Sequence, residues 1–245
     1  MDLLRSWIVG SDNIVFFGGA GVSTESGIPD FRSVDGLYSQ KYEYPPEEIL
    51  SHSFFERRPE EFYRFYRDKI LLRGVSPNRA HTALAELENM GKLRAVVTQN
   101  IDGLHQAAGS RGVLELHGSA HRNYCVACGA RYGFDFMADS VGVPRCGCGG
   151  VVRPEVVLYE EALDTETMSS AARFIRGADV LIVGGTSLAV YPAAGLVDLY
   201  GGSKLVLINK GLTGRDADAD LLISDSIGEA LSAAVNGLET CSPRG

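Results

Sequence analysis

The sequence predicts an α/β fold, a doubly wound and mostly parallel sheet with a smaller module set into it. Short Val/Ile/Leu runs recur along the 245 residues, and most are continuous rather than alternating, the pattern of strands covered on both faces. Helical stretches lie between many of them, and strand-helix alternation builds parallel sheets. From Ser119 to Arg153 the composition shifts to Cys, Gly and Arg with few long apolar runs, which marks a small insert.

In chain order the predicted strands are Ile14–Phe17, Arg94–Thr98, Val113–Leu116, Val156–Leu158, Val180–Val183, Leu205–Ile208 and Leu221–Ile223. Pro59-Glu60-Glu61 opens a helix with carboxylates where the helix dipole favours them. Ser76 before Pro77 reads as an N-cap with proline in the first turn, and Gly91 closes that helix. Ser226 reads as the cap of the last helix.

At 45% hydrophobic residues the chain can bury a full core in one large domain carrying a small insert. A net charge of -8 gives no cationic footprint for a phosphate backbone, so direct nucleic-acid binding is not expected, whereas a basic peptide would be attracted. The opening MDLLRSWIVGSDN is broken too early by Gly10 and Asp12 for a secretory signal, and no stretch approaches the roughly 20 apolar residues of a membrane span. A cytoplasmic location with no membrane contact is therefore expected. Thiols stay reduced there, so closely spaced cysteines read as metal ligands before disulfides.

Ligands on doubly wound sheets sit beyond the carboxyl ends of the strands, so the loops after the apolar runs are the places to look for chemistry. Gly19-Ala20-Gly21 follows the first strand, but Thr24 stands where a dehydrogenase fingerprint has its third glycine. No second strand ends in an acidic residue about 20 residues on, and hydride transfer loses ground. The loop continues as Pro29-Asp30-Phe31-Arg32, which fits either a cover over a cofactor or a surface Asp30–Arg32 pair. Gln99-Asn100-Ile101-Asp102 ends the second strand. Asn100 and Asp102 fit either helix capping or contact with an amide-bearing ligand. His117 ends the third strand, a position suited to a base working near neutral pH, whereas His52 and His81 read as structural. Gly185-Thr186-Ser187 and Asn209 follow two later strands and suit a close nucleotide approach.

Cys125-Val126-Ala127-Cys128 and Cys146-Gly147-Cys148 stand apart by a loop of zinc-ribbon size. The second pair is tight, and Gly147, Gly149 and Gly150 are expected to relieve its backbone. A four-thiolate site has no open position and would be structural, with a redox dithiol or unliganded thiols as alternatives. Cys241, in a polar tail, reads as a bystander.

Taken together, these motifs resemble the sirtuins, NAD-dependent protein lysine deacylases, from the first strand to about Asn209. The likeness rests on Gly19-Ala20-Gly21-Val22-Ser23 through Pro29-Asp30-Phe31-Arg32, Thr98-Gln99-Asn100-Ile101-Asp102, His117-Gly118, the four cysteines, Arg153-Pro154, Gly185-Thr186-Ser187-Leu188 and Ile208-Asn209. It implies a Rossmann-like domain from 1–35, 74–118 and 155–245, and a small domain from a helical module at 36–73 and a zinc ribbon at 119–154. NAD as cosubstrate would meet Gly19, Ala20, Gly21, Thr24, Asp30, Phe31, Arg32, Gln99, Asn100, Ile101, Asp102, Gly185, Thr186, Ser187 and Asn209. Structural Zn2+ would be held by Cys125, Cys128, Cys146 and Cys148.

The resemblance also implies a reaction. Nicotinamide leaves, the acyl oxygen of the modified lysine attacks the anomeric carbon, and His117 acts as general base through the ribose hydroxyls, with Asn100 beside it. Free lysine, nicotinamide and O-acyl-ADP-ribose result. ADP-ribosyl transfer to protein, or NAD sensing without catalysis, are the alternatives. The acyl-lysine peptide would add as a strand against Val156, Val157, Leu158, Tyr159 and Val190. Where the family commonly has Phe-Gly-Glu, this chain has Tyr159-Glu160-Glu161, and the two carboxylates are expected to favour basic sequences. Relatives that remove acidic acyl groups carry Tyr and, three residues later, Arg. Here Tyr63 is followed by Tyr66, and Arg67 would point elsewhere, which favours acetyl or another neutral acyl group.

Overall fold

The computed structural model describes residues 1–30 and 43–238. Phe31, Arg32, Cys241 and the first residues of the expected helical module, 36–42, lie outside the described residues. The strands are β1 (Ile14–Gly18), β2 (Leu93–Thr98), β3 (Val113–Glu115), β4 (Gly118–Cys125), β5 (Arg131–Tyr132), β6 (Val152–Val156), β7 (Val180–Gly184), β8 (Leu205–Ile208) and β9 (Leu221–Ile223). The helices are α1 (Asp2–Val9), α2 (Pro46–Ile49), α3 (His52–Arg57), α4 (Pro59–Phe65), α5 (Arg79–Asn89), α6 (Leu104–Ala107), α7 (Phe134–Asp139), α8 (Thr165–Gly177) and α9 (Ile227–Val235).

Six strands form one parallel sheet in the order β3-β2-β1-β7-β8-β9. The chain builds outward from β1 through β2 to β3, then returns to β7 and builds the other way, so strand order reverses between β1 and β7. Side chains of β1 alternate between two cores. Ile14 and Phe16 join Leu4, Ile8, Leu84, Leu87 and Leu231 on one face, where α1, α5 and α9 pack. Val15 and Phe17 join Ala171, Ile175, Val183 and Leu207 on the other, under α8. Burial on both faces explains why β1 and β7 carry no polar alternation.

A third core lies apart from the sheet. Phe54, Phe62, Tyr63 and Tyr66, from α3, α4 and the turn after α4, pack with Ala120, Met137, Val152 and Leu158. Full burial of each such side chain contributes about 1.5–3 kcal/mol. The antiparallel sheet β5-β4-β6 carries this core and the cysteines.

Two local expectations are corrected. The apolar stretch Val156–Leu158 is not a parallel strand. Its first residue ends β6, which runs antiparallel to β4, and Val157 and Leu158 continue as irregular chain. Within β6, Val152 and Pro154 are buried while Arg153 and Glu155 are half-exposed, so the strand has one dry face, and its charges hid it from a search for apolar runs. Helix α5 is capped by Asn78 rather than Ser76. The Asn78 Oδ1 accepts from Ala80 N at 2.9 Å and Asn78 N donates to His81 Nδ1 at 3.2 Å. Pro77 therefore precedes the cap instead of opening the helix.

At the β1–β7 reversal two glycine turns press together. Gly21 N donates to Gly185 O at 2.8 Å, and a Cβ on Gly21 would lie 2.8 Å from Gly185 Cα. Gly185 has φ of 60°, a left-handed conformation that costs a side-chain-bearing residue. Gly185→Ala is expected to lower stability by about 1–3 kcal/mol through strain and overlap with the Val22 backbone. Urea denaturation measures this, and an unchanged midpoint would refute the close-approach argument.

Candidate active site and thiolate centre

A cavity of about 630 Å³ opens over the carboxyl ends of β1, β2, β7 and β8, bounded on the far side by the third core. Its size suits a nucleotide-scale ligand. The structure brings Gly19, Ala20, Gly21, Thr24, Asp30, Gln99, Asn100, Ile101, Asp102, His117, Gly185, Thr186, Ser187 and Asn209 together on its wall. The same wall carries Val156, Val157, Leu158, Tyr159 and Val190.

The Gln99–Asp102 turn is wired across the reversal. Asp102 Oδ2 accepts from Ser23 Oγ at 2.7 Å, while its Oδ1 caps α6 by accepting from Leu104 N at 2.9 Å. Asn100 Nδ2 donates to the same Ser23 Oγ at 3.0 Å, and Asn100 N donates to Thr98 Oγ1. Capping and site-building are thus done by one carboxylate, since its two oxygens face different partners. Gln99 Nε2 reaches Thr186 Oγ1 at 3.1 Å, joining the loop after β2 to the loop after β7. Thr24 turns its hydroxyl back to Gly21 O at 3.0 Å, and Asn209 donates to Gly211 O at 2.8 Å.

His117 stands just beyond β3. Its Nδ1 lies 2.9 Å from Gln99 O. A carbonyl only accepts, so Nδ1 carries the proton and Nε2 is the free base. Burial pushes the imidazole below its ordinary value, opposed in part by the Gln99 carbonyl. His117 is therefore neutral at pH 7 with a defined tautomer, the state a general base requires.

Several functional positions escaped the sequence reading. Ser23 bridges Asp102 and Asn100, and its place directly after the glycine turn was the available signal. Asn78, outside the cavity, donates its amide to Val22 O at 2.8 Å and Ser26 Oγ at 3.0 Å, so one residue caps α5 and ties down the loop after β1. Glu25 accepts from Gly228 N at 2.9 Å at the start of α9, a capping task Ser226 does not perform with its side chain. Tyr66, Lys69 and Ile70, from the segment after α4 that packs into the third core, also line the cavity.

The four cysteines meet. Their sulfurs all lie within 4.8 Å of one another, with Cys125–Cys148 at 3.5 Å and Cys128–Cys146 at 3.6 Å. Zinc bonded at about 2.3 Å to four tetrahedral thiolates separates sulfurs by about 3.8 Å, so the donor set fits that ion. The Cys146 thiol is pulled down to about 6 by the Cys148 N–H and then by the Tyr132 hydroxyl, which donates to its sulfur at 3.0 Å. Of the neighbouring glycines, Gly149 is left-handed at φ 89° and Gly150 has no room for a Cβ beside Cys125 Sγ. Gly147 stands in open space with no left-handed φ, so the expectation that it relieves strain is corrected.

A doubly wound sheet, a cavity at its reversal point, a neutral histidine on the wall and a four-thiolate ribbon beside it define a nucleotide-using enzyme architecture. Comparison then places it. The Sir2 family model matches residues 19–192. An NAD-dependent protein deacetylase of Clostridium perfringens is 59% identical over 237 residues, 95% of this chain and 97% of that protein. One of Cutibacterium acnes is 55% identical, covering 94% and 95%. A solved complex described as "Sir2-p53 peptide-NAD+" superimposes with TM-score 0.84 at 40% identity, covering 95% of this chain and 96% of that one. The chain belongs to the Sir2 family.

Cys128→Ser is expected to lose the metal and unfold the ribbon, since structural zinc contributes roughly 10–16 kcal/mol in small zinc modules. Elemental analysis showing one zinc per chain in the variant would contradict this.

Proposed function

We propose that this chain is an NAD-dependent protein lysine deacetylase that moves the acyl group to the ribose of ADP-ribose. The observation that carries the reading is the convergence of His117, the Asn100–Ser23–Asp102 network and the paired glycine turns on one cavity. The overall change consumes NAD, acyl-lysine and water and yields nicotinamide, lysine and O-acyl-ADP-ribose. Relatives share the activity by name, and one solved Sir2 complex holds a deacetylated p53 peptide and 3'-O-acetyl-ADP-ribose.

Each residue has a defined task in this reading. The backbone of Gly19, Ala20 and Gly21 admits the pyrophosphate without side-chain obstruction. Gln99, Thr186, Ser187 and Asn209 supply amides and hydroxyls for the ribose and adenine groups, with Gly185 keeping the wall thin. Asp30 and Thr24 line the cavity, and Phe31 and Arg32, next in sequence, are proposed to cover the reacting bond and exclude water. Ile101 and Asp102 flank the carboxamide, and Asn100 orients a bound polar group through its link to Ser23. His117 Nε2 takes the ribose-hydroxyl proton. General-base catalysis of this kind contributes about 10²–10⁴-fold.

The acyl-lysine enters along Val156, Val157, Leu158 and Tyr159, facing Val190. The acyl group is neutral in this reading, because Tyr63 spends its hydroxyl on Val152 O at 2.7 Å and Arg67 reaches Ser140 Oγ at 3.1 Å. Zn2+ on the four thiolates holds the small module and takes no part in the chemistry. A cytoplasmic setting, where thiolates stay reduced, suits that centre. Among the described residues no helix is long and apolar enough to cross a membrane.

Incubation with NAD and an acetyl-lysine peptide is expected to yield deacetylated peptide and O-acetyl-ADP-ribose by mass spectrometry. Nicotinamide release without deacetylation would remove the reading. An acetylated peptide is expected to be cleaved at least about 10-fold faster than its succinylated twin, and the reverse order would refute the acyl assignment. His117→Ala should abolish turnover while calorimetry still detects NAD binding. Because burial lowers the His117 pKa, the base is deprotonated above 6.5, and kcat/KM should fall only as pH drops below that value. An acid limb above pH 7 would exclude His117 as the titrating group.

A further inference from the structure

The two carboxylates that follow Tyr159 have opposite fates. Glu161 is half-buried and neutralised, accepting from Arg153 Nη2 at 2.8 and 2.9 Å, Leu158 N at 2.9 Å and His52 Nδ1 at 2.8 Å. The expectation that both carboxylates attract basic sequences is corrected for Glu161, whose charge is spent inside the fold. Glu160 lies exposed on the rim of the cavity. It accepts from Ser53 N and Ser53 Oγ, both at 2.9 Å, and both donors are neutral. Among the described residues it has no ion-pair partner, and His52 and Arg57 act on it only at longer range.

Its position is also fixed. Tyr159 N donates to Leu50 O and His52 N to Tyr159 O, each at 3.0 Å, so the residue before Glu160 is bridged to the start of α3. Glu160 itself has φ of 74°, a conformation glycine adopts freely and glutamate does not. A glycine would satisfy the backbone better, so what glutamate adds at this position is its carboxylate. Hydrogen bonds from Ser53 hold that carboxylate ionised by lowering its pKa. The chain thus presents a tethered negative charge, with no ion-pair partner among the described residues, at the end of the segment along which the acyl-lysine is proposed to enter.

We infer that Glu160 is a specificity-determining residue that selects acyl-lysine peptides carrying arginine or lysine beside the modified residue. This rests on the deacetylase reading and names the substrate class within it. An exposed pair of charges changes affinity modestly, about 1.5- to 5-fold, so attraction of arginine and repulsion of glutamate, each near the middle of that range, together separate two such peptides by about 5- to 10-fold at low salt. Screening shrinks that gap as salt rises.

The test uses three fluorescein-labelled acetyl-lysine peptides that differ only in flanking Arg, Ala or Glu, with dissociation constants read by anisotropy. Wild type is expected to bind them in the order Arg, Ala, Glu, with the outer two about 5- to 10-fold apart at low salt. In Glu160→Gln, which keeps an acceptor for Ser53, and in Glu160→Gly, which keeps the backbone conformation, the spread should fall below about 2-fold. A flat ranking in wild type, or the same ranking in both variants, would overturn the inference while leaving the deacetylase reading intact. Failure of wild type to bind any acetylated peptide would instead strike the deacetylase reading itself.

Discussion

The close approach of the two glycine turns at the β1–β7 reversal is the constraint on which the site depends. Parallel neighbours leave their following loops side by side, and only residues without Cβ atoms let those loops meet at hydrogen-bonding distance. Gly21 N to Gly185 O is that contact. With the wall drawn in there, Gln99 reaches Thr186 from the other side, and the loops after β1, β2 and β7 become one surface.

On that surface the polar groups are arranged by mutual satisfaction. Ser23 receives the Asn100 amide and donates to Asp102, so each group has a partner and one orientation. Asn78 and Glu25 anchor the loop that carries Ser23 from beneath, each using a helix N-terminus as its fixed point. His117 obeys the same logic: a backbone carbonyl selects its tautomer and burial keeps it neutral. Preorganisation of this kind leaves little to rearrange when charge develops in a reaction.

The small module contributes differently. It has a core of its own, aromatic on one side and thiolate-capped on the other, and it meets the large sheet through β4, which follows β3 after a short turn. Through Leu50, His52 and Ser53 it grips the segment ending at Glu160. The cavity wall at residues 156–159 is therefore shared: its backbone comes from the chain leaving β6, and its position is set by the start of α3.

Much of this was legible in the amino-acid order. Two-sided burial writes continuous apolar runs, so β1, β2, β7 and β8 announced themselves, and strand ends pointed to Gly19, Gln99, His117 and Gly185. Cysteine spacing identified the thiolate set because metal geometry restricts spacing. Other features depended on contacts between distant segments. The antiparallel pairing of β6 with β4, the tie from Asn78 to the loop after β1, the bridging role of Ser23 and the separate fates of Glu160 and Glu161 each require knowing what lies across a gap. Local sequence determined which residues could carry charge, bend a turn or bind a metal. Tertiary structure alone decided which of them were paired, since a hydrogen-bond partner dozens of residues away leaves no trace in a residue's own neighbourhood.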